Sequence, residues 1–198
     1  MEVEKAVKSL LSNIERTLNC SVKDTDLMAL FEKMELKSFS KSDILFEPGK
    51  FCNETHFIVK GACYAYYLDE NGEKVVIQFS LEDYWISDLY SFFSREKGIY
   101  FSEALEDMTV LTLSRENHDA VCLSNAIYER FFRLLIQNAF VAVQYRLVQA
   151  YGKDAQTRYM ELMEKRPDLL QRIPQYLIAS YLGIQPQSLS RIRRKLME

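Results

Sequence analysis

Apolar residues recur at helical spacing over residues 3–18, where Val3, Val7, Leu10, Leu11, Ile14 and Leu18 share a face. The pattern repeats over residues 25–34 through Leu27, Leu30 and Phe31, so two short helices are expected to open the chain. From Ser38 the texture changes to short apolar runs between turn residues: Ile44-Leu45-Phe46, the turn Glu47-Pro48-Gly49, Phe57-Ile58-Val59, Gly61 and Tyr64-Ala65-Tyr66-Tyr67. Asp69-Glu70-Asn71-Gly72-Glu73, between strands at 63–68 and 74–79, predicts a hairpin, because Asn-Gly readily supplies the positive φ angles of tight turns. Strand character returns at 108–113, and the set predicts a small jelly roll or β-roll.

After Ser114 the periodicity becomes helical, with Ser114 or Asn117 as the cap of a short helix. Residues 125–150 run without Gly or Pro and carry more apolar positions than one stripe uses, among them Phe131, Leu135, Phe140, Val141, Leu147 and Val148. Such a helix buries more than one face: one side covers the β-roll and the other packs on a second copy, the alternative being a central helix inside a monomer. Tyr151-Gly152-Lys153 marks a hinge; Asp154 caps a helix over 155–165, Pro167 breaks it, and Ile173-Pro174 precedes another start. The expected fold class is α+β, with an N-terminal jelly-roll or β-roll sensor domain over 1–124, a dimerisation helix over 125–150 and a C-terminal all-α, winged-type helix-turn-helix domain over 151–198.

The segment from Pro174 to Leu196 carries the chemistry. A first helix packs through Leu177, Ile178 and Leu182, Gly183 makes the tight turn and Ile184 is buried after it, which is the grammar of a helix-turn-helix. In the second helix Leu189, Ile192 and Leu196 recur at docking positions, while Gln187, Ser188, Arg191 and Arg194 or Lys195 fall on the other side. Gln and Arg pair bidentately with adenine and guanine edges, and Pro186 suits a first helical turn, so this side is expected to enter a DNA major groove. An αα-hairpin without a DNA role would share the apolar spacing but would have no use for the Gln/Ser/Arg side.

Charge sharpens the picture. The chain of 198 residues has a net charge of −3, yet residues 151–198 hold nine basic and five acidic residues, +4, leaving −7 for the other sixteen basic and twenty-three acidic residues. A basic end on an acidic body suits a polyanion, whose condensed counterions are released on binding. Apolar residues at 48% and charged residues at 27% describe a globular chain with a core. No apolar run approaches the ~20 residues that span a bilayer, and the N-terminus lacks a signal-peptide block, so a cytoplasmic location and no membrane partner are expected. Cys20, Cys52, Cys63 and Cys122 lie far apart and read as free thiols, without metal or disulfide.

On these residues the chain resembles the Crp/Fnr regulators. Phe46-Glu47-Pro48-Gly49 is similar to that family's early β-roll turn, Phe57-Ile58-Val59-Lys60-Gly61 to its strand-glycine step, and Trp85-Ile86-Ser87-Asp88-Leu89 to its aromatic-Ile-Gly-Glu-Leu segment. Leu182-Gly183-Ile184 followed by Ser188-Leu189-Ser190-Arg191 resembles its recognition element. The resemblance implies that Gln187 and Arg191 read bases and that Gln175, Gln185, Ser188 and Arg194 lie close to phosphates; Lys195 joins the DNA-facing set by its position on that side of the helix. It further implies a homodimer on a pseudo-palindromic operator and contact with RNA polymerase. Pro186 stands where many relatives carry a base-contacting arginine, so operator preference is not transferred.

Cyclic-nucleotide-binding relatives hold the ribose with Gly-Glu and clamp the phosphate with Arg-Ser some ten residues later. This chain has Ser87-Asp88 and then Gly98-Ile99, and Arg95 is the nearest counterpart of the clamp. Ser87, Asp88 and Arg95 are therefore the candidate effector residues, for an effector that is unidentified and not expected to be a cyclic nucleotide. An iron–sulfur cluster needs four placed thiolates and haem a ligating histidine, and with only His56 and His118 present no cofactor is assigned. The aromatic residues from Tyr64 to Phe101 serve as core or as the lining of an apolar ligand cavity. The competing function is a cyclic-nucleotide-type module whose helical tail contacts protein, and calorimetry with cyclic AMP and cyclic GMP separates the two. No nucleophile–base pair or phosphate-cradling glycine loop marks an enzyme.

Overall fold

The structure, a computed structural model, describes residues 2–197. Two helices, α1 (Glu2–Leu18) and α2 (Asp24–Phe31), precede strands β1 (Met34–Phe39), β2 (Ile44–Phe46), β3 (Glu54–Lys60), β4 (Cys63–Leu68), β5 (Lys74–Ser80) and β6 (Trp85–Ile86). A short helix α3 (Leu89–Ser94) leads to β7 (Phe101–Ala104) and β8 (Met108–Ser114). Helices follow to the end: α4 (Arg115–Ser124), α5 (Ala126–Gly152), α6 (Ala155–Lys165), α7 (Pro167–Arg172), α8 (Gln175–Tyr181) and α9 (Pro186–Met197). The strands form two sheets, in the orders β1-β8-β3-β6 and β2-β7-β4-β5, the two faces of a β-roll.

The chain divides into two compact units, residues 1–64 with 80–139, and residues 65–79 with 140–198. In the first, strand alternation sorts side chains into two cores. Phe57 and Val59 of β3 and Leu111 and Leu113 of β8 face a helical layer made by Ala6, Leu10, Ile14 and Leu18 of α1 with Tyr128, Phe131 and Phe132 of α5. Ile58 and Val110, on the other face, join Cys63, Ala104 and Met108 inside the roll. Trp85 sits in the outer core, its ring centroid 5.4 Å from Phe57 and 5.9 Å from Phe131, while its indole N–H donates to Asn13 Oδ1 at 3.1 Å.

His56 points into the roll. It pairs with Thr112 in the β3–β8 register, hydrogen-bonds that hydroxyl through Nδ1 at 2.8 Å and stacks on Phe46 at 5.1 Å. Burial pulls its pKa down to about 4; Glu54 opposes the shift and Lys37 adds to it. All four cysteines are free thiols, and burial pushes the Cys63 thiol up to about 12, which leaves it unreactive.

Several expectations are adjusted by tertiary structure. Residues 34–39, partly read as the end of a helix, form β1, which pairs with β8 from Met34↔Leu113 to Phe39↔Met108. Pro167 opens α7 as well as closing α6, consistent with its tolerance in a first turn. Ser114 is the cap of α4, its Oγ accepting from Asn117 N–H at 3.1 Å. In the 69–73 turn Gly72 alone has positive φ, +77°, and Asp69 Oδ1 accepts from the N–H groups of both Asn71 and Glu73. The C-terminal part is helical throughout; the wing implied by the expected class has no strand among the described residues after Gly152.

Candidate nucleic-acid interface

The second unit contains the helix-turn-helix. Its turn is a Schellman motif: Gly183, at φ +66°, donates to Ser180 O at 2.9 Å, and Ile184 donates to Ala179 O at 3.0 Å. A side chain at 183 would be strained in that left-handed conformation, which explains the glycine. Leu177, Ile178, Ala179, Leu182 and Leu189 are buried, as are Tyr159 of α6, Leu169 of α7 and Ile173 just after it, and α8 packs on α9. The docking side of α9 weakens outward: Ile192 is half-buried and Leu196 is exposed.

The opposite side of α9 is free. Gln185, Pro186, Gln187, Ser190, Arg191, Arg194 and Lys195 are exposed, and Ser188 is half-buried beside Leu189. Helical spacing stacks Gln187, Ser190 or Arg191, and Arg194 into a row about two turns long. Arg191, Arg193, Arg194 and Lys195 face no acidic residue within residues 186–197. Gln175, at the start of α8, is half-buried with an unpartnered Oε1, and its neighbour Tyr176 is exposed. Sequence reasoning passed over Ser190 and Tyr176; for Ser190 the signal was its i+3 relation to Gln187.

Two further residues organise this unit. Arg158 of α6 donates from Nη1 to Ala150 O at 3.1 Å and Lys153 O at 2.7 Å, and from Nη2 to Leu182 O at 2.7 Å. One guanidinium thus satisfies carbonyls at the end of α5 and at the turn between α8 and α9. Ser180 of α8 accepts from Val76 N–H at 3.0 Å and donates to Lys74 O at 2.8 Å, and Tyr181 packs on Phe79 at 5.2 Å. These contacts cover backbone groups of the edge strand β5, which would otherwise offer a template for pairing.

In the first unit, Asp88 caps α3, its Oδ1 accepting from Ser91 N–H at 3.1 Å, and Oδ2 is buried without a partner. Ser87 donates through Oγ to Glu54 O at 3.0 Å. Arg95 ends α3 in the left-handed conformation and is exposed. Arg115 ties the region together, donating to Cys52 O and to Ser91 O and lying over the Phe92 ring. Asp88 adjoins a cavity of about 200 Å³ formed mainly by residues 44–52. Among the described residues no group of three His, Cys, Asp or Glu is placed to hold a metal ion.

Residues 36–125 match the family described as Cyclic nucleotide-binding domain. The fold is that of Crp/Fnr-like regulators: a β-roll of this domain type followed by a helical C-terminal region. Among similar solved structures is the c-di-GMP-responsive global regulator CLP of Xanthomonas campestris, at a TM-score of 0.70 and 12% identity over 88% of this chain and 92% of that one. FixK2 from Bradyrhizobium japonicum gives 0.70 and 18% over 83% of this chain and 84% of that one. A mutant of CooA from Carboxydothermus hydrogenoformans gives 0.68 and 16% over 91% and 82%. No curated protein sequence matches significantly. Among the described residues no helix is long and apolar enough to cross a membrane.

The domain type raises the fit of a cyclic nucleotide. Its phosphodiester requires a fixed cation with N–H donors around it. Around the cavity the cation is Lys50, already paired with Glu47 and largely exposed, and the innermost ionisable group is the Asp88 carboxylate, which only accepts hydrogen bonds when ionised. These residues do not fit a cyclic phosphate.

Proposed function

We propose that the protein is a sequence-specific DNA-binding transcription regulator of the Crp/Fnr type that binds a pseudo-palindromic operator as a homodimer. In this reading residues 1–124 are the sensor domain, 125–150 the dimerisation helix and 151–198 the DNA-binding domain. The protein acts in the cytoplasm, has no enzymatic role, contacts RNA polymerase at its promoters, and its effector is not a cyclic nucleotide.

One observation carries the reading: α9 is anchored by Leu189 on one side and presents an uninterrupted Gln187, Ser190, Arg191, Arg194 row on the other. Glutamine and arginine read adenine and guanine edges in the major groove, while Arg194, Lys195 and the N-terminal turn near Gln185 suit phosphates. Gln175 and Ser188 belong to the flank that approaches the backbone.

Selection of bound fragments from random duplex DNA, followed by fluorescence anisotropy on the selected site, tests this. Arg191→Ala is expected to weaken binding by about 1–3 kcal/mol and to relax discrimination at one base position per half-site. Arg194→Ala is the contrast: a uniform loss across sequences and a shallower salt dependence. Unchanged base preference in Arg191→Ala removes that residue from the reading; the absence of any enriched duplex removes the function.

A further inference from the structure

Helix α5 ends at Gly152, where a Cβ would meet open space, and Asp154 caps α6 two residues later. Packing at the glycine therefore does not fix the angle between the two helices. Side chains that reach across the connection do, and from residue 140 onward α5 belongs to the same compact unit as α6 to α9.

Arg158 grips the joint close to its pivot, through the carbonyls of Ala150 and Lys153. A second grip lies further out. Tyr145 of α5 donates its hydroxyl to Glu161 Oε2 at 3.0 Å and accepts from Lys165 Nζ at 2.7 Å, both on α6. The other Glu161 oxygen accepts from Lys153 Nζ, which comes from the connection itself. One phenol thus spends both its donor and an acceptor position on the facing helix. Tyr145 stands seven residues before Gly152, about 10 Å along the helix axis, whereas Ala150 stands two residues before it, about 3 Å. For equal slack in a hydrogen bond, the outer grip restricts rotation about the pivot roughly three times more tightly. Partly exposed polar contacts add little to stability one by one, so the consequence of this set lies in orientation.

We propose that Tyr145 is a positioning residue that sets half-site spacing: through Glu161 and Lys165 it holds the DNA-binding helices at one angle to α5. In a dimer joined through α5, that angle decides how far apart the two α9 rows stand, and so which separation of half-sites both can reach at once. Tyr145 acts on DNA through the placement of α9. The inference rests on the proposed homodimer and its two-part operator.

Two measurements on the full chain test it. Anisotropy compares wild type with Tyr145→Phe on the selected operator, on one half-site, and on operators whose half-sites are moved one base pair closer or farther apart. Wild type is expected to prefer the selected spacing at least about tenfold. In Tyr145→Phe that preference and the affinity for the selected operator each fall at least about threefold, while affinity for one half-site and the bases preferred within it stay within about twofold. The second measurement needs no DNA: amide hydrogen exchange over residues 150–157 is expected to quicken at least about threefold in the variant. Glu161→Ala is expected to reproduce both effects, and the double variant to add little to either single one, because the two residues share one contact. A wild type indifferent to spacing, a spacing preference retained in Tyr145→Phe, an equal loss on one half-site, a change of assembly state in sedimentation equilibrium, or unchanged exchange overturns the assignment. A wild type that enriches no duplex overturns the proposed function instead, and hydrogen exchange then decides the brace alone.

Discussion

If the proposed homodimer forms through α5, Val141→Glu combined with Val148→Glu is expected to convert it to monomers and to lower affinity for a palindromic duplex at least about 100-fold, while leaving affinity for a single half-site nearly unchanged. Both valines lie on α5 and are two-thirds exposed, at 65% and 67%, and Tyr151, ten residues beyond Val141, is 86% exposed. Val141, Gln144, Val148 and Tyr151 alternate by three and four, the spacing of a coiled-coil seam, and Phe140 and Leu147 broaden it. A stripe of this kind on a free surface exposes apolar area that a second copy would cover in the proposed dimer. Two glutamates per chain would then meet in the seam, where charges are buried without partners. Because the sites are exposed within the chain, far-UV circular dichroism of the variant should match wild type. Sedimentation equilibrium reads the assembly state; a variant that remains dimeric removes α5 as the interface.

Acidification from pH 6.5 to 4 is expected to cost the fold on the order of 3 kcal/mol through His56 alone, from a shift of about 2.5 pH units at 1.36 kcal/mol each. The folded protein holds this imidazole neutral, chiefly because burial disfavours its charged form. The unfolded chain takes up the proton near pH 6.5, whereas the folded one resists until about 4. The contribution is level above 6.5, and stability falls as pH drops through that window. Carboxylates also titrate there, so the measurement is a difference: urea denaturation of wild type and His56→Gln at several pH values. Glutamine retains a polar atom toward Thr112 and does not titrate. Parallel pH profiles for the two proteins rule out His56 as the cause.

Local pattern carried most of the helical part of this molecule. Asp154 caps α6 where a short polar residue precedes the helix, its Oδ1 accepting from Thr157 N–H at 2.8 Å. The row on α9 was legible for the same reason: a period of 3.6 separates docking from free positions without any knowledge of the rest. Strand β1 was not legible, because Met34-Glu35-Leu36-Lys37 continues a helical neighbourhood and becomes a strand only by pairing with residues more than seventy positions away. Helix α3 was hidden by its aromatics, although Asp88 before Leu89 was an available capping signal. The same Asp88 was read for its resemblance to a ribose-binding acid, a reading that did not reveal its capping duty. Arg158 escaped notice because its partners are three backbone carbonyls, which leave no trace in residue type.

That arginine has a practical corollary for domain exchange. Because one side chain joins the last turn of α5 to the bend before Gly183, Gly152 is a poor place to splice. A hybrid that imports a foreign input module should keep this chain from a point upstream of Ala150, so that the acceptor carbonyls travel with their donor. Joined at the glycine itself, the graft would place one of the three acceptors, the carbonyl at position 150, in foreign backbone.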